Sequence, residues 1–145
     1  MKVIICKRYG SPKFLEIMEI PTPTPAENQV RIKIYFTTVT VADHRVRAFD
    51  VPVAFRIPAW LALGFTKPRQ PILGGELSGV IDSVGKNVRK FEVGDKVFAF
   101  PGQKFGAHAE YICMNENDCI AKKPVYFSFE QAAALPLGAI TAWFF

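Results

Sequence analysis

Histidine is scarce in this chain and cysteine is unpaired, and both shortages limit the chemistry open to it. Only two histidines, His44 and His108, and three cysteines, Cys6, Cys113 and Cys119, occur in 145 residues. The cysteines are odd in number, widely spaced and without a C-x-x-C pair, so neither a disulfide framework nor a zinc knuckle is expected. They read as the reduced thiols of a cytoplasmic protein. A contiguous basic block is also missing: Lys2, Lys7, Arg8, Arg31, Lys33, Arg45 and Arg47 are scattered, although the net charge is +5. That argues against a nucleic-acid partner and leaves the charge to suit a phosphorylated cofactor. Long apolar runs are lacking too. Val51 to Phe65, the most apolar region, is broken by Pro52, Arg56 and Pro58 and is not expected to span a bilayer. Val3 to Cys6 is too short for a signal peptide. Finally, no G-x-G-x-x-G follows a strand, because Gly74, Gly75 and Gly79 have another spacing and precede one.

What is present is ordinary globular composition, with half the residues hydrophobic and 21% charged. The length suits one domain with a real core. Thirteen phenylalanines imply either a dense aromatic core or apolar surface that awaits a partner. Val3 to Cys6 and Phe14 to Ile20 read as short strands. Val30 to Val39 alternates Val30, Ile32, Ile34 and Phe36 against Arg31, Lys33 and Tyr35, which is strand periodicity. The prolines of Pro21 to Pro25 hold that stretch extended. Val41 to Phe49 lacks β alternation and predicts a short helix. A second helix is expected within Pro52 to Phe65, with Pro58 in its first turn and Gly64 as its stop. Strands return at Leu77 to Val84, around Lys96 to Phe100, at Ala109 to Met114 and at Cys119 to Lys122, with a loop over Gly102 to Gly106. Ser128 and Gln131 form a capping-box pattern that opens a helix over Glu130 to Leu135. Pro136 interrupts it and a very apolar helical stretch, Leu137 to Phe145, follows. The expected architecture is mainly β, a distorted barrel with short helices and a helical C-terminal segment.

Several motifs carry a resemblance. Pro71 to Gly85 reads PILGGELSGVIDSVG, and Phe91 to Val97 reads FEVGDKV. Arg8 to Pro12 followed by Leu15, Pro23 to Ile34, Gly106 to Tyr111 (GAHAEY), and Gln131 to Pro136 followed by Thr141-Ala142 add to the pattern in order. Together these resemble the medium-chain dehydrogenase/reductase superfamily, in its zinc-independent quinone oxidoreductase-like branch. The resemblance implies the GroES-like (alcohol dehydrogenase-like) catalytic domain over residues 1–127. Residues 128–145 would then begin the helix that leads into a Rossmann domain lying outside these residues. The exposed aromatic end, Trp143 to Phe145, is expected to be the inside of a helix that continues, and the isolated chain is expected to be inactive.

The same resemblance bears on metal and cofactor. Zinc-dependent relatives place a cysteine at the position matching Thr40 and a histidine at the position matching Gly75. Neither a hydroxyl nor a glycine replaces thiolate or imidazole, and Phe98 to Phe105 holds no cysteine for a structural zinc. No zinc is therefore expected. The implied reaction is hydride transfer from NADP(H) to a small hydrophobic quinone, carbonyl or enone substrate, for which the protein supplies positioning and electrostatics. Thr40 and Thr141 are the cofactor-binding candidates. Asp43 and Arg47 are the catalytic candidates; four apart on a helix they share a face and can pair, and a purely structural ion pair is the plainer reading. His44 and His108 read as solvated surface groups, Glu76 as a group that supports its neighbours, and Tyr111 as packing. The apolar Val51 to Arg69 stretch suits either a cleft wall or core. A homodimer is compatible with all of this. The alternative reading is a non-catalytic GroES-like binding or oligomerisation module.

Overall fold

The computed structural model describes residues 1–144, so the expectation for Phe145 lies outside the described residues. Strands β1 (Lys2–Cys6) and β2 (Leu15–Glu19) form an antiparallel hairpin. Strands β3 (Gln29–Thr37), β4 (Leu77–Val84), β5 (Lys96–Ala99), β6 (Tyr111–Asn115) and β7 (Ile120–Lys122) form one sheet in the order β6-β3-β4-β5-β7. Every pairing is antiparallel. Bridges from Val3 to Ala109 and from Ile5 to Ile72 dock the hairpin onto the sheet. The architecture is the expected one, mainly β with a curled, barrel-like sheet and short helices.

The alternation in β3 buries Val30 and Ile32 against Leu77 and Ile81 of β4 and Val97 of β5, all fully enclosed. Burying each such side chain contributes about 1.5–3 kcal/mol. This core is aliphatic. Among the described residues no phenylalanine is fully buried in it, and the half-buried Phe91 packs against its edge. Phe36, Phe55, Phe65, Phe127 and Phe144 are instead exposed.

Helix α1 (Val41–Ala48) follows β3, which ends at Thr37 rather than Val39 because Thr38 to Thr40 leave the sheet to start the helix. Helix α2 (Arg56–Leu63) has Pro58 in its first turn and ends at Gly64, as the sequence predicts. Its face is the surprise: it buries none of its residues, so Val51 to Arg69 is not core. Helix α3 (Phe129–Ala133) carries the expected capping box, with the Ser128 hydroxyl accepting from the Gln131 amide. It buries Ala132 and Ala133 and packs against β3 and β4. Helix α4 (Leu135–Phe144) starts two residues later, with Pro136 in the first turn, where a missing N–H costs nothing.

Candidate functional site

The segment between β3 and α1 and the segment entering β4 come together, and one buried carboxylate joins them. Thr40 caps α1, and Asp43 at the third helical position completes a capping box with it. Asp43 Oδ2 accepts from the Thr40 amide at 2.7 Å and from the Thr40 hydroxyl at 2.8 Å. Its other oxygen accepts from the Gly74 amide at 2.8 Å, so the side chain, 3% exposed, has both oxygens engaged. Asp43 therefore sets Thr40 relative to Gly75, one residue beyond its partner.

A second buried carboxylate does the same for the next residues. Glu76 Oε2 accepts from the Thr38 hydroxyl at 2.5 Å, and Oε1 accepts from the Leu137 amide at 2.5 Å. The Glu76 carbonyl also accepts from the Thr37 hydroxyl at 2.7 Å. Glu76 thus ties the end of β3, the start of β4 and the first turn of α4, the supporting part expected of it. His108 adds a third fastening through Nε2, which donates to the Thr38 carbonyl at 3.1 Å. The expectation of a solvated His108 is corrected here: the residue is half-buried, because backbone bonds to Ile4 and Leu73 hold its segment against β1 and the entry to β4.

These fastenings frame a cavity of about 270 Å³ floored by Thr40, Gly75 and Glu76 and walled by Phe100, Phe105 and Leu137. Thr40 and Gly75, far apart in sequence, meet in it. Phe105 holds φ +52° and ψ −155°, a backbone region costly for a residue with a side chain. Its strain coincides with the cavity wall. The three apolar wall residues went unread in the sequence; the only signal was their place beside recognised motifs, after β5, before GAHAEY and after Pro136.

Asp43 and Arg47 do not form the expected ion pair. Both border a separate apolar cavity of about 420 Å³, so their shared face is real. Each, however, has nearer partners. Asp43 is held by the amides already named, and Arg47 Nη1 donates to the Gly10 carbonyl while the Gly10 amide donates back to the Arg47 carbonyl. His44 is exposed, as expected. Thr141 is exposed on α4, one turn beyond Leu137 and on the same helical face, but it does not border the Thr40 cavity. Burial pushes the Cys6 and Cys113 thiols up, which leaves neither an activated nucleophile.

A side chain fits at position 75. A Cβ built on Gly75 meets only the Phe100 ring at 3.9 Å, whereas one on Gly74, at φ +94°, falls 2.6 Å from the His108 amide. Gly75→Ala should accordingly shift the melting temperature by no more than about 2 °C, while Gly74→Ala should lower it by about 10 °C. Equal losses in both variants would contradict this geometry. Glycine at 75 is thus a chemical choice and not a steric necessity.

An antiparallel barrel-like sheet, with its cavity built where a β3 loop meets the glycine-rich entry to β4, defines a GroES-like domain of the alcohol dehydrogenase kind. The chain belongs to the alcohol dehydrogenase GroES-like domain family, whose profile matches residues 26–124. It is 33% identical to the mitochondrial NAD(P)H oxidoreductase RTN4IP1 of Dictyostelium discoideum, over 99% of this chain and 39% of that protein. Among solved structures it superposes on the quinone oxidoreductase of Coxiella burnetii with a TM-score of 0.81 and 32% identity, over 99% of this chain and 43% of that one. For the Escherichia coli quinone oxidoreductase complexed with NADPH the values are 0.79 and 25%, over 99% and 40%. The chain therefore spans about 40% of the length of these relatives. Among the described residues no group of three or more His, Cys, Asp or Glu side chains is placed to hold a metal, and no helix is long and apolar enough to cross a membrane.

Proposed function

We propose that this chain is the substrate-side domain of an NAD(P)H-dependent oxidoreductase that reduces quinones or enones without zinc. The observation that carries the reading is the Thr40–Gly75 cavity. The two positions where metal-dependent relatives have a thiolate and an imidazole share one wall of it, and here they present a hydroxyl and a bare backbone. The remaining acid, Glu76, has both oxygens committed to Thr38 and Leu137. Such a donor set does not make a catalytic zinc site, which needs about three nitrogen, sulfur or oxygen ligands around an open position.

A reduced nicotinamide cofactor would supply the hydride. The residues at the cavity suit one half of its site. The Thr40 hydroxyl donates to Asp43, and a lone pair remains to accept from a bound carboxamide. Gly75 leaves a floor without a side chain against which a ring can lie, with Phe100, Phe105 and Leu137 as apolar walls. Asp43 and Glu76 act as positioning residues: they hold Thr40, Gly75 and the start of α4 in one arrangement, with their carboxylate oxygens committed to protein donors. An acceptor that is already electron-poor, such as a quinone or an enone, needs no Lewis acid, so positioning accounts for most of what the protein must supply.

The test is hydride transfer in a chimera that joins these residues to the nucleotide-binding portion of the E. coli quinone oxidoreductase. NADPH oxidation should require 1,4-benzoquinone or an enone and should be unchanged by a metal chelator. The 145-residue chain alone should oxidise NADPH at no more than the background rate. Chelator-sensitive oxidation of an alcohol, with no quinone or enone turnover, would overturn the reading.

A further inference from the structure

The basic residues that look scattered along the sequence gather, in the fold, around a helix that buries none of its side chains. Between His44 and Gly75 the chain carries five cations, Arg45, Arg47, Arg56, Lys67 and Arg69, against the single carboxylate Asp50. That stretch holds four of the five net positive charges of the whole chain. None of these five cations takes part in an ion pair among the described residues. Contacts bring their carriers to one end of the domain. Phe49, just past α1, stacks on Trp60 of α2 at 6.1 Å, and Tyr9 packs on Phe49 at 4.8 Å. The Tyr9 hydroxyl donates to the Leu63 and Gly64 carbonyls at 2.9 and 3.1 Å, and the Arg69 amide donates to Leu63 at 2.7 Å. The end of α2 is therefore fixed through the Leu63 carbonyl.

What the helix holds outward is apolar. Val53, Phe55, Ile57, Leu61 and Phe65 are 79%, 63%, 70%, 58% and 66% exposed. Ile57 and Leu61 are four apart and share a face. Trp60 stacks on Phe49, so the helix is held in place and the exposure does not come from a loose helix. Water-facing apolar clusters of this kind mark a surface that something covers.

We propose that this end of the domain is an interfacial membrane-binding surface, which lays α2 and its flanks on an anionic lipid leaflet. The occupant follows from charge. An apolar helix face framed by five cations against one carboxylate fits the boundary between acyl chains and anionic headgroups. A second copy meeting the same face would oppose the same cations to each other, which disfavours a symmetric dimer there. Lying on a membrane differs from spanning it, so the absence of a spanning helix among the described residues does not conflict. The proposal rests on none of the cofactor chemistry.

The test is co-sedimentation of the protein with vesicles of phosphatidylcholine alone and of phosphatidylcholine with about one-third phosphatidylserine. Binding is expected to the second and not to the first, and to fall steeply when salt is raised from ~0.1 to ~0.5 M. Arg56→Gln with Lys67→Gln should weaken partitioning about 30-fold, at roughly 1 kcal/mol per cation. Ile57→Ser with Leu61→Ser should weaken it by more than about tenfold. All four side chains are exposed, so unchanged melting curves should confirm that the variants still fold. Failure to bind anionic vesicles, equal binding by parent and variants, or sedimentation without lipid, which would mean self-association, would each overturn the proposal.

Discussion

Gly79→Ala is expected to destabilise the domain by about 3 kcal/mol or more, lowering the melting temperature by about 10 °C. A Cβ at residue 79 would lie 2.1 Å from the Lys33 carbonyl oxygen and 3.1 Å from an Ile32 methyl carbon. The obstacle is backbone, so no rotamer change relieves it; β3 and β4 would have to separate where Ile34 opposes Gly79. That pairing lies beside the fully buried Ile32 and Ile81. Separating the strands there would open the core and lose ladder hydrogen bonds together. Thermal unfolding of the variant checks this, and a melting temperature within about 2 °C of the parent would mean the strands tolerate a wider spacing. The glycine in LSGV is therefore a matter of strand approach, distinct from Gly75, where there is room.

Asp43→Ala should cost about 3–4 kcal/mol, from a lost helix cap and from donors left unsatisfied in a buried site. The stranded groups are the Thr40 amide, the Thr40 hydroxyl and the Gly74 amide. Asp43→Asn should fall between alanine and the parent, since its amide oxygen still accepts while its NH₂ faces donors. The consequence for function follows from the same bonds. Thr40 and Gly75 are held through Asp43, so hydride transfer by the chimera should drop more than tenfold in Asp43→Ala, even well below its melting temperature. Full activity in a stable Asp43→Ala protein would remove the residue from the positioning network. An Asp43→Asn variant as unstable as alanine would point to charge rather than acceptor geometry.

The elements readable from sequence were those specified by short-range rules. Leu77 to Val84 was legible to the residue because paired glycines stop it on one side and Gly85 on the other. The α3 cap was legible because serine and glutamine three apart satisfy each other's backbone amides. The Thr40 cap obeys the same rule with aspartate, yet Asp43 was read toward Arg47. A helical i,i+4 spacing permits that pair, but only the fold brings the Gly74 amide and the Gly10 carbonyl to compete for its two members. His108 was misread because nothing within its own segment shows that the Thr38 carbonyl lies above it.

By itself the sequence determined the mainly β architecture, the family pattern and the hydroxyl and glycine that stand at positions 40 and 75. Those depend on residue identity, periodicity and turn chemistry, which act over a few neighbouring positions. The tertiary structure alone decided that Asp43 and Glu76 are clamps, that the core is aliphatic, and that Phe55, Ile57 and Leu61 face solvent among cations. Each of these depends on which distant groups reach a given atom first. Competition for a buried hydrogen bond, or for a place in the core, is settled between chain segments dozens of residues apart.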